Sequence, residues 1–202
     1  MSDKITMPET VSFHRMDEGT EEDYALLHRQ EQSFIAGLPS RIVKALENLE
    51  HSLSGYQVSR LEHSLQTATR AEQVGADKEL IVAALIHDIG DDLAPENHSQ
   101  MAAAIIRPYV RAEVTWILEM HGVFQMYYYA DKIGLNKNER DRWRDHHWFD
   151  ACEKFCRDYD QLSFDPTFPS KPLEYFIPMI NEIFSRPAFA SDIIKPDTVQ
   201  MQ

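Results

Sequence analysis

Residues 61–92 read LEHSLQTATRAEQVGADKELIVAALIHDIGDD, and the rest of the chain is organised around them. Leu61, Leu65 and Ala68 recur at helical spacing with His63 between them, and Gly75 ends that run. Asp77 has the chemistry of a helix N-cap. The run that follows, Leu80 to Ile89, is apolar on nearly every side, which marks a central, buried helix. His87 and Asp88 sit side by side at its end, and Gly90 closes it. An ionisable pair buried without a partner is costly, so a metal is the simplest account of this one.

The same periodicity extends in both directions. Thr20 caps a short helix over 21–33, and Pro39-Ser40 opens another carrying Ile42, Val43, Ala45, Leu46 and Leu49. The helix that holds His63 is expected over about 56–74. Downstream, helices are expected over 97–107, limited by Pro108, then 111–130, 136–144 and 148–161. A proline-rich connector with Pro166, Pro169 and Pro172 leads to a last helix over 173–184, kinked by Pro178. No stretch alternates in the manner of a strand, so the expected fold is all-α, a helical bundle. Residues 1–35, polar and irregular at first with Pro8 and Gly19, read as an N-terminal extension, 36–186 as one domain, and 187–202 as a tail without pattern.

The chain has 202 residues and a formal charge of −13. Nucleic-acid backbones are bound with Lys and Arg, so this balance argues against such a partner. It does not exclude a small polar or anionic substrate, because one arginine or a metal inverts the potential inside a cleft. No run reaches the 18 or so apolar residues of a membrane span, and the opening MSDKITMPET has no apolar segment of signal-peptide type, so the cytoplasm is the expected compartment. Cys152 and Cys156 lie one helical turn apart with side chains poorly directed for a bridge, and are read as reduced thiols.

Around the His-Asp pair, the apolar helices carry further ionisable residues. His98 starts the helix after it, His121 is embedded in WILEMHGVFQMYYY, and Asp160 ends CRDYD. Four histidines and two aspartates facing one core outline a site for two metals, in which a carboxylate can bridge and an imidazole binds one metal. Mixed nitrogen and oxygen donors suit iron, manganese, zinc, cobalt or nickel. His14, His28, His51, His146 and His147 read as ordinary surface or core histidines, the last two near enough to a cleft to line it. Trp143, Trp148 and Phe149 read as core, and the YYY run at 127–129 as packing or pocket.

LEHSLQTA, GADKE and AALIHDIGDD together resemble the HD-domain superfamily, all-helical metalloproteins named for the adjacent pair. Within it they resemble the diiron oxygenases that cleave hydroxylated aminophosphonates and, more distantly, myo-inositol oxygenase; the likeness covers about residues 53–161. The resemblance implies an HD-type helical bundle with His63, His87, His98, His121 and Asp160 as terminal ligands and Asp88 as the bridge. It implies two iron ions, Fe(II)/Fe(III), as cofactor and dioxygen as co-substrate, with C–P or C–C cleavage of a small hydroxylated molecule. CRDYD resembles the family's Arg-x-Trp-Asp box with Tyr159 in place of tryptophan, which makes Arg157 the expected anion-binding arginine.

The departures from the family pattern bear on the substrate. A tyrosine and a glutamate that cover the open iron in the phosphonate-cleaving enzymes correspond here to Leu53 and Tyr56, which leaves Tyr56 as the lid residue. Asp91 stands where a basic or imidazole side chain is usual, and favours a cationic or polyhydroxylated ligand. Gln125 stands where a phosphonate-pairing lysine is found. The rival expectation is the commoner HD activity, hydrolysis of a phosphomonoester or nucleotide with manganese, nickel, cobalt or zinc, for which Arg157, Arg60 and Arg107 are the available phosphate partners. The wording of the three motifs favours the oxygenase. The oligomeric state has no signal in the sequence.

Overall fold

A computed structural model describes residues 9–193. The opening residues 1–8, Pro8 among them, and the tail from 194 lie outside that range. Eight α-helices appear in it: α1 (Glu21–Ala36), α2 (Leu38–Asn48), α3 (Arg60–Gln73), α4 (Lys78–Ile86), α5 (His98–Ile106), α6 (Ala112–Gln125), α7 (Phe149–Asp158) and α8 (Leu173–Phe184). Short 3-10 turns join several of them, and no strand occurs among the described residues. The fold is all-α. No helix among the described residues is long and apolar enough to cross a membrane.

The central helix is α4, as its composition requires. Every residue from Ile81 to Ile86 is buried, and it packs on α3, α6 and α8. The capping chemistry is local and explicit. Asp77 accepts the Leu80 amide at the start of α4, and Ser59 accepts the Glu62 amide at the start of α3. The Ser59 cap explains why α3 begins at Arg60 and leaves Tyr56 in the preceding loop, four residues later than the hydrophobic period suggested. The buried apolar core starts at Ile42 and draws nothing from α1, whose Phe34 and Ile35 are exposed.

Three further boundaries differ from expectation. The run over 111–130 stops as α-helix at Gln125, and the tyrosines continue in 3-10 turns. Residues 136–144 form only a 3-10 turn at Glu139–Trp143, with Trp143 41% exposed rather than in the core. The helix over 148–161 ends at Asp158, and Asp160 opens a separate 3-10 turn. Pro178 is accommodated inside α8.

Gly90 governs how the end of α4 meets α5. A Cβ there would stand 3.0 Å from both the Cα and the carbonyl oxygen of His98. Those neighbours are backbone and cannot swing aside. Gly90→Ala is therefore expected to cost on the order of 1–3 kcal/mol and lower the melting temperature by several degrees. Thermal denaturation checks this, and metal content should fall with it because His98 is displaced.

Candidate metal centre

The six expected ligands converge from five segments. His63 comes from the second turn of α3, His87 and Asp88 from the turn that ends α4, and His98 from the first residue of α5. His121 lies near the end of α6, and Asp160 follows α7. All but His98 are buried, and the His98 side chain is 27% exposed.

The hydrogen bonds fix which ring nitrogen of each histidine faces inward. Nδ1 of His63 donates to the Ser163 carbonyl at 2.8 Å, that of His87 to Ala84 at 2.8 Å, and that of His121 to Leu118 at 2.6 Å. Nδ1 of His98 points at the Pro95 carbonyl at a longer 3.4 Å. A carbonyl can only accept, so the proton is on Nδ1 and the lone pair is on Nε2. Four Nε2 lone pairs aimed at one centre, each ring held by its other nitrogen, is the arrangement of metal-ligating imidazoles.

Asp88 faces two groups at once. Its Oδ2 lies 3.2 Å from His63 Nε2 and 3.1 Å from His87 Nε2. Its Oδ1 lies 3.4 Å from Nε2 of both His98 and His121. Asp160 Oδ1 completes the first group, 3.3 Å from His63 and 3.7 Å from His87. One oxygen to each group is what a bridging carboxylate requires. Two lone-pair nitrogens, His63 Nε2 and His87 Nε2, also stand only 3.0 Å apart, a contact that repels unless a cation lies beside it.

The electrostatics call for positive charge at this centre. Burial disfavours a charged imidazole, yet Asp88 and Asp160 outweigh it and hold His87 up at about 10, so a bound cation would take the place of the Nε2 proton. His63 is raised against burial by the same two acids. Burial also opposes ionisation of Asp88, but His87 and Arg60 hold its carboxyl well below the usual range. Asp160 Oδ2 is buried without a hydrogen-bond partner among the described residues. These residues fit a pair of metal ions: His63, His87 and Asp160 cluster as one set of donors, and His98 and His121, which share Asp88 Oδ1, could serve a second ion.

The donors open on a cavity of about 840 Å³. Tyr56, Asp91, Gln125, Tyr128, Tyr129 and Phe164 help to line it. Phe164 stacks on the His63 ring at 4.3 Å, and Tyr56, itself 53% exposed, covers Phe164 at 5.0 Å. Tyr127 instead faces outward under Arg140, whose guanidinium lies 3.6 Å from its ring centre. His146 stacks on Trp116 at 4.1 Å, and neither His146 nor His147 lines the cavity. Cys152 and Cys156 are free and buried, with their thiols directed at the Ile117 and His121 carbonyls of α6.

Two expectations are corrected. Arg157 does not reach the cavity: its side chain is 51% exposed and pairs with Glu153 and Asp158 on its own helix. Asp91 does line the cavity, but its charge is already engaged, since Oδ2 accepts from Arg60 Nε at 2.7 Å. Arg60 Nη2 also donates to Asp88 Oδ2. Among the described residues, Arg60 is the single Lys or Arg that lines the cavity. The sequence carried a signal for it, because positions 60 and 63 share a helix face.

A family model described as HD domain matches residues 60–163. The [1-hydroxy-2-(trimethylamino)ethyl]phosphonate dioxygenase (glycine-betaine-forming) of Leisingera caerulea is 34% identical over an alignment of 89 positions that covers 39% of this chain. The match spans 45% of that protein, less than half its length. The matched family segment takes in every one of the six converging donors, and it covers just over half of the residues. The chain belongs to the HD-domain family.

Proposed function

We propose that this chain is a metal-dependent oxygenase that uses dioxygen to cleave a C–P or C–C bond of a small hydroxylated substrate, with an Fe(II)/Fe(III) pair as cofactor. The observation that carries this reading is Asp88, which turns one oxygen to His63 and His87 and the other to His98 and His121. The likeness to a phosphonate dioxygenase supports the choice of reaction class. When bound, the metal pair supplies redox chemistry toward dioxygen and a Lewis-acid centre for a substrate oxygen.

The chain's own residues do the rest. The four Nδ1–H bonds to backbone carbonyls hold the imidazoles in one tautomer, so none needs to reorganise during turnover. Phe164 and Tyr56 cover the His63 side and keep bulk water from it. Arg60, held through Nε by Asp91 and through Nη2 by Asp88, is the one guanidinium among the described residues at the cavity wall, and its Nη1 is the group that would meet a phosphonate or carboxylate oxygen of the substrate.

Oxygen uptake by iron-loaded protein, screened across hydroxy-phosphonates, polyols and amino alcohols, tests the proposal. The expected result is substrate-dependent uptake by protein holding two irons per chain, with a mixed-valent EPR signal. Phosphate release from a phosphomonoester or nucleotide without oxygen uptake, by protein loaded with manganese, nickel, cobalt or zinc, would replace this reading with hydrolysis.

A further inference from the structure

Gln125 ends α6, one turn beyond His121, and lines the cavity. Its Nε2 donates to Asp160 Oδ1 at 3.1 Å. A carboxylate oxygen can only accept, so this bond fixes which way the amide points. The other end, Gln125 Oε1, is buried and has no hydrogen-bond partner among the described residues. A metal ion beside Asp160 would account for its unpartnered Oδ2, but nothing among the described residues accounts for an amide oxygen left without a donor. Buried acceptors are paired in native proteins, and because Gln125 belongs to the cavity wall, the donor its oxygen lacks can come from what enters the cavity.

We propose that Gln125 is a specificity-determining residue that accepts a hydrogen bond from an N–H or O–H group on the substrate, beside the reacting carbon. This deepens the reading above, in that it takes the same cavity as the substrate site. The consequence for substrate class is concrete. An anionic oxygen placed against Oε1 would meet a lone pair, so the anionic end of the substrate lies away from Gln125 and toward Arg60. A trimethylamino group, the one named in the substrate of the Leisingera caerulea relative, has no N–H and leaves Oε1 unpaired. A protonated primary amine or a second hydroxyl satisfies it. A site built to pair a donor rejects the analogue that lacks one more strongly than size alone would explain.

The test is anaerobic calorimetry on the metal-loaded full chain with three probes. Each is a 1-hydroxyethylphosphonate, bearing an amino, a hydroxyl or a trimethylamino group at the neighbouring carbon. At least one of the first two is expected to bind at least about tenfold more tightly than the third, and which of them leads identifies the donor as amine or hydroxyl. Gln125→Met is expected to bring all three within about twofold of one another, because the remaining contacts are shared. Equal binding of the three by the wild-type protein means that Oε1 is served by a trapped water, and overturns the proposal; so does binding by none. The wild-type ranking decides even where the variant loses metal. Because no oxygen is consumed, the ranking is read independently of whether the protein proves to be an oxygenase.

Discussion

Replacing Asp88 with alanine is expected to empty at least one of two metal positions and abolish turnover. Asp88 is the one side chain that faces both histidine groups, so its loss removes a donor from each. Outer partners of metal ligands are already worth about 10–100-fold in metal affinity, and a bridging ligand should exceed that range. The change also removes one of two carboxylates that hold Arg60. Asp88→Asn separates these effects, since it keeps the shape and a neutral acceptor but not the charge. Metal analysis after loading, with oxygen uptake alongside, gives the answer. Retention of two metals and full activity by Asp88→Ala would sink the ligand assignment.

The second large effect is expected at Arg60. Its side chain is 9% exposed and those of Asp88 and Asp91 are 3% and 10%, so this is a buried ion-pair network. Removing one member of such a network strands a charge, at about 3–5 kcal/mol. With Asp88 engaged by metal, Arg60→Met strands Asp91, and a loss of about 3 kcal/mol in unfolding free energy is expected. The double variant Arg60→Met, Asp91→Leu should recover most of that loss, because both charges leave together. Binding of an anionic substrate should not recover with it. Arg157→Gln is the control: an exposed arginine paired along its own helix should leave the unfolding midpoint unchanged. Denaturant unfolding of all four proteins orders them.

The contrast between the two arginines also shows where sequence reading reaches its limit. The ligands were legible because each is a polar residue set into an apolar helix or at its end, and burial makes such a residue conspicuous. Period places the helices α2 to α6, with shifted ends at α3 and α6, and so the elements that carry the candidate donors. The expectation for Arg157 rests on the likeness of CRDYD to the family's Arg-x-Trp-Asp box, and the local backbone departs from what that likeness implies. The chain leaves α7 at Asp158 and enters a 3-10 turn at Asp160, so Arg157 and Asp160 do not share a face. The tyrosine run, read as packing or pocket, divides between the two: α6 ends at Gln125, and Tyr128 and Tyr129 line the cavity while Tyr127 does not. Arg60 is named from the sequence only as one of three possible phosphate partners, and its pairing with Asp91, 31 positions away, is one no local pattern reveals. Asp91 was read as free to attract a cation for want of the same knowledge.

One contact sets the order in which this protein can mature. The His63 ring is oriented by the carbonyl of Ser163, a hundred residues further along the chain. A nascent chain that has emerged as far as α6 already exposes His63, His87, Asp88, His98 and His121. It still lacks Asp160 and the carbonyl that sets His63. Five donors are thus synthesised before the residues that arrange them, and the site is completed only when the segment after α7 docks against α3 through the Gln66 and Glu62 bonds to Asp165 and Ser170. The complete donor set therefore depends on docking of the connector as well as on the helices that carry most of the candidate ligands.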